Sequence, residues 1–223
     1  MCSTLPGHEI EQLSRLSFRK SYPAGKMIAE ADQVVDHFAV VVSGVIKLTK
    51  SVPDGRHQIV ALLFPSDFLG RPFKGESPYR VEAATAVVLC HYRRQAFENL
   101  MIARPEMTQF LLQRSLDETE AARDWMFLLG RKNAQEKVAA FILLMTRRKQ
   151  RSDYDGASCQ KCVSLDLPLS RAEMADYLGL RIETVSRQLR RLQNTGAIDA
   201  ASGRRIVIRD VRTLERTAEA YRE

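Results

Sequence analysis

Within residues 170–194, SRAEMADYLGLRIETVSRQLRRLQN, the side chains suited to reading a nucleic acid crowd together: Glu183, Thr184, Ser186, Arg187, Arg190 and Arg191. Their chemistry is selective. A guanidinium donates two hydrogen bonds to the O6 and N7 edge of guanine, a carboxylate accepts from the cytosine amine, and hydroxyls reach phosphates or bases. Glu183, Ser186 and Arg187 are the candidate base readers; Ser170, Thr184, Arg190 and Arg191 are candidate phosphate contacts. The bland alternative is a solvated basic helix.

Two short helices must position these groups. Ser170 followed three residues later by Glu173 is a capping box, and Ala172, Met174, Ala175 and Leu178 give the first helix a small apolar side before Gly179 breaks it. The second helix runs from about Arg181 to Asn194, with Ile182, Val185, Leu189 and Leu192 on one stripe and the charged residues opposite. Capping box, short turn, stripe and arginine face together favour a helix-turn-helix. Gly196 then ends the helix, and AIDAASGRRIVIRD reads as a hairpin with Ser202-Gly203 at its tip. This wing brings Arg204 and Arg205 within reach of phosphate.

Charge distribution points to the same end of the chain. Residues 1–130 carry 15 Lys and Arg against 15 Asp and Glu, whereas residues 131–223 carry 19 against 12, so the net charge of +7 lies in the second part. A polyanionic duplex is the partner such asymmetry favours over a membrane or an acidic protein.

Upstream, residues 21–95 alternate strand-like runs with turn signals: FAVVVSGVIKLTK, RHQIVALLF and YRVEAATAVVLCHY, separated by PDG and PSDFLG. They predict a small β-roll or sandwich, with Asp54-Gly55 closing a hairpin. From about Arg93 the pattern turns helical, first RRQAFENLMIA, then a long segment from Pro105 to Leu129, then roughly Ala134 to Arg148. The long segment is either an interdomain spacer or one strand of a two-stranded coiled coil; the second is expected, because helix-turn-helix proteins commonly read two half-sites as dimers. DYDGAS, residues 153–158, reads as a linker. The expected fold class is α+β, with a β-roll sensor domain over 1–100, a dimerisation helix over 101–130 and a winged helix-turn-helix over 131–223.

No run approaches 18 uninterrupted apolar residues, and the N-terminus lacks a basic region followed by an apolar one, so a soluble, cytoplasmic protein is expected. Cys2, Cys90, Cys159 and Cys162 are too few and scattered for a disulfide framework. Cys159 and Cys162 form a lone C-x-x-C, short of the second pair a zinc ribbon needs; they are an inert loop pair or a redox pair. An alternative function, a cupin-like metalloenzyme fused to a DNA-binding tail, needs clustered histidines, but His8, His37, His57 and His91 show no metal-binding spacing. No phosphate loop, nucleophile elbow or catalytic Cys/His pair is visible, so no enzyme is expected.

The segments ETVSR, GRKNAQEKVAAFILLMTRR and LLFPSDFLGRPF together resemble the CRP/FNR family of bacterial transcription regulators, in its FNR/FixK-like branch, over nearly the whole chain. The resemblance implies that Glu183, Ser186 and Arg187 read a palindrome with TTGAT-like half-sites, as a homodimer that recruits RNA polymerase. It places the dimer helix at about Pro105 to Leu129, with Asp124, Trp125 and Met126 in its dimerisation segment and Asp124 opposing association until a signal arrives. Family members that bind cyclic AMP hold its phosphate with a Gly-Glu segment and an Arg-Ser pair; here the region reads KGESPYRVEAATA, with Ser77 and Pro78 at the pair, so no cyclic nucleotide is expected. Oxygen-sensing members hold a four-iron four-sulfur (4Fe-4S) cluster. Cys90 matches its last ligand and Cys2 the last of its N-terminal set, while two ligands are missing. A four-iron cluster takes four thiolates. Either this chain begins downstream of the native start or the cluster has been lost, and both readings stay open.

Overall fold

The computed structural model describes residues 17–33, 36–73, 76–152, 163–200 and 203–219. Eight strands lead: β1 (Ser17–Tyr22), β2 (Met27–Ala29), β3 (His37–Ser43), β4 (Ile46–Ser51), β5 (His57–Leu63), β6 (Phe68–Leu69), β7 (Arg80–Ala83) and β8 (Val87–Arg93). They pair antiparallel into two four-stranded sheets, ordered β1-β8-β3-β6 and β2-β7-β4-β5. The run FAVVVSGVIKLTK, with the turn expected at Gly44, is two strands in different sheets. Gly44 forces the break: its φ is +85°, and a Cβ there would come within 2.1 Å of the Ala86 carbonyl oxygen. The expected Asp54-Gly55 turn joins β4 to β5, with Gly55 at φ +88° and Arg56 returning to the Asp54 carboxylate at 2.7 Å.

Alternation puts one face of each strand inward, and Val41, Ile46, Val81, Ala83, Val87 and Leu89 fill the space between the sheets. A second cluster covers the other face of β3 and β8. Phe38 and Tyr92 meet Phe97 and Met101 from helix α1 (Arg94–Ala103) and Met107 and Leu111 from α2 (Pro105–Arg131), with the Phe38 and Phe97 rings stacked at 4.2 Å.

Two compact units, residues 1–119 and 120–223, divide within α2. The second unit is built on α3 (Ala134–Ser152), whose Val138, Ala139, Phe141 and Ile142 are wholly buried. Around it lie β9 (Val163–Asp166), α4 (Arg171–Leu178), α5 (Ile182–Asn194), the hairpin β10 (Ile198–Ala200) and β11 (Arg205–Ile208), and α6 (Val211–Ala218). The three strands form one sheet in the order β10-β11-β9. The α+β class, with an N-terminal roll, a long helix and a C-terminal winged helix-turn-helix, is the one expected. The linker 153–158 and Ser202 lie outside the described residues.

Candidate nucleic-acid interface

The capping box forms as the sequence required. The Ser170 hydroxyl accepts from the Glu173 backbone N–H at 3.3 Å, and the Glu173 carboxylate accepts from the Ser170 backbone N–H at 2.7 Å. At the other end of α4, Gly179 takes the left-handed conformation, φ +62°, and its N–H donates to the Ala175 carbonyl. This turn starts α5 three residues later, at Ile182.

Val185, Gln188, Leu189 and Leu192 are the buried residues of α5. The expected stripe is therefore corrected at one end: Ile182 is 43% exposed and Gln188 takes an inward position. Ile182 sits in the first turn, and the buried set begins at Val185. Among the described residues, the Gln188 amide oxygen is buried without a hydrogen-bond partner.

On the outer face Glu183, Arg187, Arg190 and Arg191 are exposed, with Thr184 and Ser186 half-buried beside them. Glu183, Ser186, Arg187 and Arg190 line an open concavity that also takes in Arg171, Ile182 and Gln193. Thr184 and Arg191 stand outside it. Sequence reasoning missed Arg171, Ile182 and Gln193. The signal for Arg171 was its place directly after the cap residue Ser170, where α4 begins.

The wing arginines are partly committed. Arg204 donates to the Pro168 carbonyl at 3.1 Å and meets the Glu173 carboxylate at 3.4 Å, while Arg205 Nε donates to the Ser164 hydroxyl at 2.9 Å. Arg204 thereby ties the wing to the capping box. Both residues are nonetheless exposed.

Of the three residues expected at the dimer helix, Trp125 packs within its own unit, its indole stacked on Tyr177 of α4 at 4.3 Å, with Phe141 edge-on to the same Tyr177 at 5.8 Å. Burial pushes the Tyr177 phenol well above the ordinary tyrosine range, so it stays protonated. Asp124 and Met126 are exposed. In the first unit, the half-buried Cys90 lies against the aromatic cluster under α1, with its thiol 3.5 Å from the Tyr92 hydroxyl. Cys2, Cys159 and Cys162 lie outside the described residues. Among those described, no group of three or more His, Cys, Asp or Glu side chains gathers in a metal-binding arrangement.

Comparison with known proteins agrees with both halves. Residues 19–104 match the cyclic nucleotide-binding domain family, and residues 136–217 match the Crp-like helix-turn-helix domain family. The chain is 40% identical over 220 residues to the transcriptional activator protein FnrL of Cereibacter sphaeroides, covering 98% of this chain and 88% of that protein. It is 37% identical over 203 residues to the nitrogen fixation regulation protein FixK of Bradyrhizobium diazoefficiens, covering 91% and 83%. Among solved structures, FixK2 from Bradyrhizobium japonicum superposes with a TM-score of 0.79 at 31% identity, covering 90% of this chain and 96% of that one. On these grounds the chain belongs to the CRP/FNR family, in its FNR/FixK branch, and is a DNA-binding transcription regulator, not an enzyme.

Proposed function

We propose that the protein activates transcription by reading a two-fold palindrome as a homodimer, with Glu183, Ser186 and Arg187 of α5 on base edges in the major groove. The carrying observation is the shared concavity in which these three side chains stand with Arg171 and Arg190. A carboxylate and a guanidinium on one exposed helix face supply the acceptor and the bidentate donor that distinguish C·G from other pairs. Ser170, Thr184, Arg190, Arg191, Arg204 and Arg205 surround them as phosphate contacts that set register. The α5 N-terminus adds to this, since Arg181 caps it with no side-chain hydrogen bond.

Dimerisation is assigned to the outward side of α2. Leu112, Leu116, Met126 and Phe127 are large apolar side chains left exposed on that helix. At about 100° per residue, Arg123 lies on the side opposite the inward-facing Trp125, and Asp124 on its flank. Asp124 is the residue through which like-charge repulsion would oppose association. RNA polymerase is the further partner of an activator, and the cytoplasm is where the protein meets DNA; among the described residues no helix is long and apolar enough to cross a membrane.

The residues present do not fit a four-iron four-sulfur cluster: Cys90 turns its thiol into the aromatic cluster, where it packs as a small hydrophobe. The metalloenzyme alternative falls with membership of a regulator family.

Fluorescence anisotropy with a duplex carrying two TTGAT-like half-sites tests the reading. Saturable binding that is lost when either half-site is scrambled is the expected result. Equal affinity for scrambled DNA would overturn the base-reading assignment.

A further inference from the structure

The end of α2 belongs to the DNA-reading unit: residues 120–131 of the helix fall on that side of the division. Two of their side chains fasten them there. Leu128 is buried, and Trp125 lays its indole on Tyr177 of α4, with ring centroids 4.3 Å apart and 20° between planes. Phe141 of α3 meets the same Tyr177 edge-on at 5.8 Å, so one tyrosine joins α2, α3 and α4. The joint that follows is tied as well. Lys132 Nζ donates to the Ala218 carbonyl at the end of α6 at 2.7 Å, and the Asn133 side chain caps α3 by accepting from the Gln135 and Glu136 N–H groups at 2.9 and 3.1 Å.

The indole is seated for its shape. Among the described residues, Trp125 Nε1 is buried without a hydrogen-bond partner, a cost that a phenylalanine ring in its place would not carry. Stacked rings constrain tilt as well as distance, which an aliphatic contact does not. The other side of the same turns is bare: Met126 and Phe127 are exposed, and at about 100° per residue Phe127 points nearly away from Trp125. One short segment therefore carries an outward apolar side, to which dimerisation is assigned, and an inward ring on α4. A slip at the stack would move α4 and, through the Gly179 turn, α5, while the outward side stayed in place. Base pairs rise by about 3.4 Å each, so a shift of that order at α5 changes which gap between half-sites fits.

We propose that Trp125 is a positioning residue for DNA reading: its stack on Tyr177 sets α4 and α5 against the dimer helix and thereby selects the gap between the two half-sites of the palindrome. This role rests on the homodimer and palindrome of the proposed function.

Fluorescence anisotropy on the full chain tests it with one half-site alone and with two TTGAT-like half-sites whose gap is varied one base pair at a time. The parent should favour one gap over its neighbours by about tenfold or more. Trp125→Leu, apolar but without a flat ring, should cut that preference to about threefold or less while holding single-half-site affinity within about twofold of the parent. Tyr177→Leu, which removes the other ring, should act alike and gives a second reading. Trp125→Phe, which keeps a ring on Tyr177, should keep the preference. A residue serving stability alone would lower the melting temperature and weaken every duplex together, leaving the preference intact. An unchanged preference in Trp125→Leu or Tyr177→Leu, or its loss in Trp125→Phe, overturns the positioning role and leaves the palindrome standing. A parent that binds every gap alike overturns the palindrome, and this role with it.

Discussion

The recognition helix and the β-roll cavity are built in opposite ways. On α5, the concavity gathers Glu183, Ser186, Arg187 and Arg190 from one continuous helix with a 3.6-residue period. In the roll, Phe18, His37, Leu69 and His91 come together from β1, β3, β6 and β8, brought into register by cross-strand pairs such as Phe18 with His91 and Ala39 with His91. A surface carried by one helix is exposed by its periodicity, while a surface assembled between sheets is visible only once the strand order is known. The same difference shapes stability: the helix presents its charges to water, whereas the roll holds an imidazole out of water.

The largest effect is expected where the helix meets its core. Leu192 is wholly buried under the charged face, and Leu192→Ala should destabilise the second unit by about 2–5 kcal/mol through lost burial and the cavity left behind. Urea denaturation followed by circular dichroism measures this. Leu89→Ala, wholly buried between the sheets of the first unit, provides the counterpart. If Leu192→Ala lowered stability by less than 1 kcal/mol, roughly the lower bound for a buried methylene, the account of α5 as seated by its apolar side would break.

Next comes the buried histidine. In the unfolded chain His91 binds a proton near pH 6.5, whereas in the folded roll it does so only near pH 4. Between these values the unfolded state holds more protons, so stability should fall as pH drops through the window and level off below it, by at most about 3 kcal/mol. Denaturation midpoints at pH 7, 5.5 and 4.5 for the parent and for His91→Gln measure the slope. The same slope in both proteins would remove His91 as its cause.

Arg187→Ala should cost roughly 1–3 kcal/mol of DNA-binding free energy and relax discrimination at one guanine. Arg205→Ala should instead weaken all sequences alike and flatten the salt dependence, as loss of a phosphate contact does. Competition anisotropy at several salt concentrations separates these patterns. A uniform loss for Arg187→Ala would move it among the phosphate contacts and blur the line between readers and positioners.

Much of the second unit was legible because its signals are local. The capping box spans Ser170 to Glu173, the glycine turn is Gly179, and the charged side of α5 follows its apolar stripe. Two details needed tertiary context: the exposure of Ile182 in the first turn and the burial of Gln188 in the next depend on which neighbours cover each position. In the first unit the strands and the turn at Gly44 were legible in outline, yet the close approach that reserves this position for glycine is to Ala86, more than forty residues away. The histidines looked scattered for a related reason: sequence spacing says nothing of residues that become neighbours through antiparallel register. The stacking of Trp125 on Tyr177 was likewise hidden, because helical spacing shows that a face is apolar but not which neighbour it meets, and Tyr177 lies about fifty residues on.

The smallest effect concerns Ser170, which carries two roles on the same hydroxyl. As a cap it accepts from the Glu173 N–H, and removing that acceptor by Ser170→Ala should cost about 1 kcal/mol of stability. As a phosphate contact it would also contribute to DNA affinity. Asparagine caps about as well as serine, so Ser170→Asn should keep the stability while altering the group presented to the backbone. Melting curves and anisotropy on both variants separate the roles. If Ser170→Ala weakens DNA binding and Ser170→Asn does so equally at full stability, the hydroxyl contacts phosphate directly. If Ser170→Asn restores both quantities, the hydroxyl serves to hold α4 in place, and α4 in turn fixes Arg171 at the rim of the concavity. The first outcome is expected, with Ser170 among the phosphate contacts; the second would leave the cap only as the joint between α4 and the wing, since Glu173, which completes the box, also receives Arg204.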